Sequence, residues 1–396
     1  MRRAISSTER RARLGVRHRL APGAAAADPP EVARSLVAVH STDPSSVYLG
    51  TLARMAGGDL GTVERALYDD RTLIRLLAMR RTVFVTALDV APVVQAACSR
   101  AVAERERRKL IGMLAEAGVG GADPEGWLED AEAAGEKALA ARGEATAAEL
   151  ASDDPLLGTQ IVLSKGKKYE GRQNVASRVL LLLAAQGRAV RGRPRGSWTS
   201  HQYRWSPLEL WCPDGLADWE TGAAEVELAR RWLRAYGPAT ADDLRWWTGW
   251  TKTRTAKALA ALDTAEVVLD GGADGLVLAD DLEPVPEPEP WAALLPALDS
   301  TPMGWQAREW FLGEHGPKLF DRMGNVGPTV WWNGRIVGGW AQDRDGAIVC
   351  RFLEDAGSEA AAAVEAAAER RAELLGGVRL NPRTRGMTWL EEELKG

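Results

Sequence analysis

The segment from Val226 to Asp280 constrains this chain most. It reads VELARRWLRAYG, TADDLRWWTGW and KTRTAKALAAL, followed by EVVLDGGADGLVLAD. The first three stretches carry apolar residues at helical spacing, and the fourth holds two β-branched runs around glycine-rich turn signals. Thr240 is placed to cap the second helix, Asp242 and Asp243 favour its N-terminal end, and Gly249 supplies the tight turn that follows. Three short helices closed by a β-hairpin make a winged helix, the helix-turn-helix unit of many DNA-binding proteins. The same order is legible at residues 30–90, where EVARSLVAVH, SSVYLGTLARM and LGTVERALYDD read as helices. TLIRLLAM and RRTVFVTA then read as two strands about a turn at MRR. A fainter copy lies at 133–210, ending in ASRVLLLLAAQG and a hairpin whose expected turn is RGRPRG.

These repeats predict a division of the 396 residues. A basic N-terminal segment (1–29) precedes the first winged helix (30–90), a helical scaffold (91–132) and the second winged helix with its basic hairpin (133–210). The third winged helix (220–282) follows. The acidic, proline-rich DDLEPVPEPEP reads as an extended connector. Beyond it, 283–396 alternates aromatic and β-branched strands with Asn-Gly and Asp-Gly turns and ends in a helix, which predicts a small β-barrel. The expected class is α+β: tandem winged-helix motifs around a C-terminal β-barrel.

Cys98, Cys212 and Cys350 are too scattered for a zinc or redox spacing, so neither a structural metal nor a disulfide framework is expected. VLLLLAA at 179–185 is far short of a bilayer span, and the arginine-rich N-terminus has no apolar signal core. The expectation is a cytoplasmic, nucleoid-associated monomer without membrane contact. Charge is segregated: residues 160–205 hold ten lysines and arginines against the single Glu170, in a chain of net charge −5. A polyanion responds to the local field, so overall acidity does not exclude nucleic acid.

One histidine of only four stands out, in LVAVHSTDP at 36–44. It closes an apolar segment read as helix, and Ser41, Thr42 and Asp43 follow at once. The plain account is an ordinary helix start, with Thr42 or Asp43 as the cap before Pro44 and His40 as a hydrogen-bonded residue at the preceding helix end.

Several blocks together resemble the AlkZ-like (azinomycin-resistance, YcaQ-related) DNA glycosylases. They are LVAVHSTDPSSVYLGTLARM, LYDDRTLIRLLAMRRTVFV, GPATADDLRWWTGW, LLPALDSTPMGWQAR and GNVGPTVWWNGRIVGGW, and the similarity runs from about 30 to 385. The resemblance implies a concave DNA-binding surface and cofactor-free hydrolysis of the N-glycosidic bond of bulky N7-alkylated purines, or unhooking of crosslinks. The family's short catalytic motif, usually Gln, an apolar residue, then Gln or Asp, aligns with HST here, so both functional positions depart from it. An N7-alkylated purine is already a good leaving group, and the remaining task is to place a water at C1′. An imidazole near its ordinary pKa of about 6.5 could accept that water's proton, Thr42 could hold the water, and Asp43 could orient the imidazole or act directly.

For DNA contact the same reading selects Lys165, Lys167, Lys168, Arg172, Arg191, Arg193 and Arg195 as phosphate partners. Trp198, His201, Gln202 and Tyr203 would touch bases or wedge a groove. Arg80 and Arg81 fall at a hairpin near the expected site, facing either DNA or Asp69 and Asp70. Trp246, Trp247 and Trp250 are expected in the core of the third unit. Asp299, Arg308, Asn325 and Trp340 are expected to hold the barrel's turns. The competing readings are a non-catalytic winged-helix regulator and, with less in its favour, an RNA-binding protein. The partner expected is duplex DNA, possibly carrying alkyl adducts.

Overall fold

The computed structural model describes residues 2–163, 170–381 and 386–395. In the first unit, Asp28, Asp43 and Asp59 cap the helices Pro29–Ser35, Pro44–Leu52 and Leu60–Tyr68, each accepting a backbone N–H of the first turn. Beside them runs an antiparallel sheet in the order Val39–His40, Val83–Ala87, Leu73–Leu77. The helix expected to reach His40 stops at Ser35. Val37 takes a φ of 62°, and His40 emerges on a strand paired with Phe84. Pairing of the β-branched Val39 with Val85 outweighs the weak helical periodicity of this apolar run.

The scaffold helices Arg100–Glu116 and Pro124–Arg142 pack on Ala176–Gln186, burying Leu110, Leu114, Leu128, Val179 and Leu183. That last helix contains VLLLLAA. No helix among the described residues is long and apolar enough to cross a membrane. Two hairpins flank it, Gln160–Leu163 with Gly171–Asn174 and Ala189–Pro194 with Tyr203–Pro207. The second corrects the expected turn: Arg191 to Pro194 belong to the strand, and the chain reverses over 195–202.

Helices Thr221–Tyr236, Ala241–Thr248 and Lys252–Ala260 lead into the hairpin Thr264–Leu269 and Asp274–Leu278. Thr240 and Asp243 form a reciprocal cap, and Gly249 is left-handed at the C-terminus of its helix. The N-terminal residues are integrated into this unit. Arg3–Ile5 adds a parallel strand beside Thr264–Leu269, and from helix Ser7–Arg17 both Arg13 and Arg17 pair with Asp281. The acidic connector is therefore anchored at its start.

The C-terminal strands form a four-stranded antiparallel sheet in the order Ala292–Leu295, Thr329–Trp332, Arg335–Gln342, Ile348–Phe352. Its two outer strands do not pair with each other, so the sheet is open and no closed barrel exists among the described residues. Helix Gly357–Leu375 packs against it instead, burying Val364 and Leu375 with Trp340. An apolar face covered by a helix needs no closure. Gly338 is required for close packing, since a Cβ there would lie 2.1 Å from the Arg351 carbonyl oxygen.

Candidate functional site

Four contacts fix the backbone around His40. Its N–H donates to Ser300 Oγ at 3.0 Å, and that hydroxyl donates to the Ala38 carbonyl. The Ser41 N–H donates to the Val83 carbonyl at 2.9 Å, and buried Arg75 donates to Ser41 Oγ at 3.1 Å. Asp43 Oδ1 accepts the N–H and hydroxyl of Ser45 at 2.9 and 2.7 Å, while Oδ2 meets no donor among the described residues. Thr42 is exposed. The segment HSTD is thus a rigid strand-to-helix corner with one hydroxyl and one carboxylate oxygen available.

The His40 ring packs edge-on to Phe84, with centroids 5.2 Å apart, and is only 6% exposed. Burial first, and the Arg80 charge second, lower its pKa to about 3. This corrects the expected value near 6.5: the ring is neutral throughout the physiological range and a weak base. Nδ1 faces the Thr42 N–H at 3.4 Å, a long contact that places the ring proton on Nε2. The stability consequence has a definite sign. Burial also holds His18 well below its ordinary value. Both imidazoles therefore cost nothing above pH 6.5, and each removes about 1.4 kcal/mol of stability per pH unit as pH falls below it. We expect His40→Gln to flatten the acid side of a urea-midpoint-versus-pH curve by about one proton between pH 6.5 and 5. An unaltered curve would refute the buried neutral state.

A pocket of about 460 Å³ opens on this corner. It gathers His40, Thr42, Asp43, Arg80, Arg81, Arg191 and His201 among the residues expected from sequence. It also brings in Asn325, expected only to hold a turn, and Leu181, Leu298 and Asp321, which lacked any distinguishing spacing. Gln202, Tyr203 and Arg195 line a neighbouring cavity of about 450 Å³, and Arg191 and His201 border both. The hairpin 189–207 is the wall between them.

Other expected contacts are otherwise engaged. Arg193 pairs with Glu64 at 3.0 Å and Asp69 at 2.8 Å, and Arg81 bridges Glu106 at 2.6 Å rather than Asp69 or Asp70. Arg188 and Arg204 from the basic stretch also meet carboxylates. Three of the ten positive charges counted along that stretch, Arg188, Arg193 and Arg204, are therefore paired in space. Trp198 is half-buried against Tyr48, with centroids 5.2 Å apart, and is no free wedge. Arg172 is exposed and lines neither cavity; Lys165, Lys167 and Lys168 lie outside the described residues. Arg191 lies among the rings of Tyr203 and Trp205, at 5.5 and 5.1 Å, with burial lowering its pKa, and forms no ion pair among the described residues.

Behind the pocket, Arg54 and Asp299 form a buried bidentate pair at 2.7 and 2.8 Å, joined by Thr301 and through it by His18. Asp299 thus ties the segment after the connector to the first unit. Asn325 closes a turn on Asp321, and Trp340 donates to the Leu295 carbonyl. Arg308 departs from the expectation, its Nε reaching only the Gln306 carbonyl at 3.4 Å. Trp247 and Trp250 are core, whereas Trp246 is half-buried. No group of three or more His, Cys, Asp or Glu among the described residues is arranged to hold a metal.

A family model described as DNA glycosylase AlkZ-like matches residues 33–374. The solved structure of Streptomyces sahachiroi DNA glycosylase AlkZ superposes with a TM-score of 0.72 at 21% identity, covering 95% of this chain and 98% of that one. No curated protein matches the sequence.

Proposed function

The chain belongs to the AlkZ-like DNA glycosylase family, and from that premise we propose that it hydrolyses the N-glycosidic bond of bulky N7-alkylated purines in duplex DNA, or unhooks crosslinks made through such bonds. The reading rests on one observation: Asp43, which keeps one carboxylate oxygen without a donor among the described residues, lines one pocket with Thr42 and His40, and the wall of that pocket includes Arg80 and Arg191, which form no ion pair among the described residues. A competing non-catalytic regulator is not favoured by the family.

In this proposal Asp43 accepts a proton from a water held by the Thr42 hydroxyl as the water oxygen bonds to C1′. The C1′–N9 bond breaks, and its electron pair neutralises the cationic base, so no general acid is required. His40 acts as a hydrogen-bond donor through Nε2, positioning the water much as a glutamine would. The carboxylate also stabilises positive charge developing on the sugar. Arg80 and Arg191, with Arg195, His201, Gln202 and Tyr203 along the hairpin wall, would contact the phosphates and bases around the lesion.

The order of three helices then a hairpin at 220–282, with a similar order at 30–90, supports winged helices there; the segment 133–210 provides the basic hairpin. We take the enzyme to act as a monomer on nucleoid DNA without a cofactor.

The test is incubation with duplexes bearing N7-alkylguanine adducts or crosslinks, read as abasic sites. His40→Gln should retain excision within about tenfold, because an amide can donate as Nε2 does, whereas His40→Ala should lose about a hundredfold. If glutamine is as inactive as alanine, the donor role is wrong. Binding without excision across a broad adduct panel would overturn the substrate class.

A further inference from the structure

Trp246 links two arginines that form no ion pair among the described residues. Arg80, from the turn Met79–Arg81, stands 4.1 Å from the ring centroid, and Arg308 stands 5.1 Å from the same centroid and 4.6 Å from that of Phe320. The two charges can be no farther apart than those distances to Trp246 laid end to end. Neither forms an ion pair among the described residues, although Arg81, next in sequence, bridges Glu106, and Arg13, Arg17, Arg54, Arg107 and Arg254 all do so elsewhere. Burial lowers the Arg308 pKa, while Glu309, next in sequence, and Asp243 favour its charge from a distance without pairing with it, the Asp243 oxygens being taken by Thr240, Gln306 and Ala307. Arg80 Nε is buried without a partner.

The arrangement is held against its own repulsion. Burial and the nearby Arg308 lower the Arg80 pKa to about 10, so Arg80 remains charged at neutral pH. Arg80 and Arg81 adopt φ values of 52° and 60°, a left-handed conformation that costs on the order of 1 kcal/mol or more per residue. Gly249 makes room for this turn, since a Cβ there would lie 3.1 Å from Arg80 Cγ. Two half-buried guanidinium groups stacked on one indole retain outward N–H edges that match a phosphate in shape and charge.

The geometry points to a phosphate clamp: Arg80 and Arg308, braced on Trp246, grip the DNA backbone beside the pocket that Arg80 lines, holding one phosphodiester or two neighbouring ones. This deepens the reading of the pocket as a DNA site and rests on it. Trp246 is then the strut between two phosphate ligands, which accounts for its position outside the core, and Arg308 positions the substrate.

The test is fluorescence-anisotropy binding of the full-length protein to a duplex containing a tetrahydrofuran abasic analogue, titrated between 50 and 300 mM KCl (roughly the range where phosphate contacts dominate the salt response). Arg308→Gln should weaken binding about tenfold at the lowest salt and reduce the slope of log K against log salt by about 0.9, one phosphate contact. Arg80→Gln should do the same, and the exposed Arg370→Gln should change neither. Wild-type slopes in both clamp variants, with wild-type protein bound, overturn the clamp alone. Failure of wild-type protein to bind the duplex overturns the clamp together with the DNA reading of the pocket. Reduced slopes with no excision of any adduct leave the clamp standing and remove only the proposed substrate.

Discussion

Asp43→Asn should lower the excision rate about a thousandfold while leaving duplex affinity and folding close to wild type. The magnitude is that of losing a positioned general base, about 10² to 10⁴. Asparagine is the informative replacement because it caps a helix nearly as well as aspartate. Its side-chain oxygen can still accept from Ser45, as Oδ1 does at 2.9 and 2.7 Å, so helix Pro44–Leu52 should keep its start. What is lost is the negative charge of a carboxylate that lines the pocket and its capacity to take a proton. His40 cannot substitute, because a ring whose pKa has fallen to about 3 is too weakly basic. Single-turnover excision on an N7-alkylguanine duplex measures the effect. A rate within a few-fold of wild type would remove Asp43 from the chemistry and leave it a helix cap.

The second large effect is on stability. Asp299→Ala should reduce the unfolding free energy by about 3–5 kcal/mol, the loss found when one partner of a buried ion pair is deleted. Arg54 is 0% exposed, and its guanidinium would retain only the Gly50 carbonyl and Thr301 as partners. The Thr301 N–H would lose its acceptor as well. Replacing both partners with leucine should recover part of the loss, because the uncompensated charge goes with them. Excision should fall in the single variant too: Ser300, adjacent in sequence, holds the His40 N–H. Urea unfolding followed by tryptophan fluorescence is the measurement, and a loss below about 1 kcal/mol would show that the pair does not secure this segment.

Sequence legibility tracked how local the determining forces were. Thr240, Asp243 and Gly249 fixed one helix from within a span of ten residues, and that helix is found where the pattern placed it. The strands Leu73–Leu77 and Val83–Ala87 were likewise readable from β-branched and aromatic enrichment about a short turn. His40 was selected for its residue type and for the family resemblance, yet its strand was missed. What makes Val39–His40 a strand is Val85 and Phe84, more than forty residues away. The open C-terminal sheet was misjudged for a similar reason: strand patterning is the same whether a sheet closes on itself or is covered by Gly357–Leu375.

Charge shows the same division. Residue types and short spacings determined the helices, their caps, the turns and the α+β class, because those depend on backbone preferences and neighbours a few residues apart. Only the folded chain decided which positive charges remain available. Arg193 and Arg81 pair with carboxylates, while Arg80, Arg191 and Arg308 form no ion pair among the described residues. Electrostatic and desolvation energies depend on distance and burial in space, and linear order specifies neither.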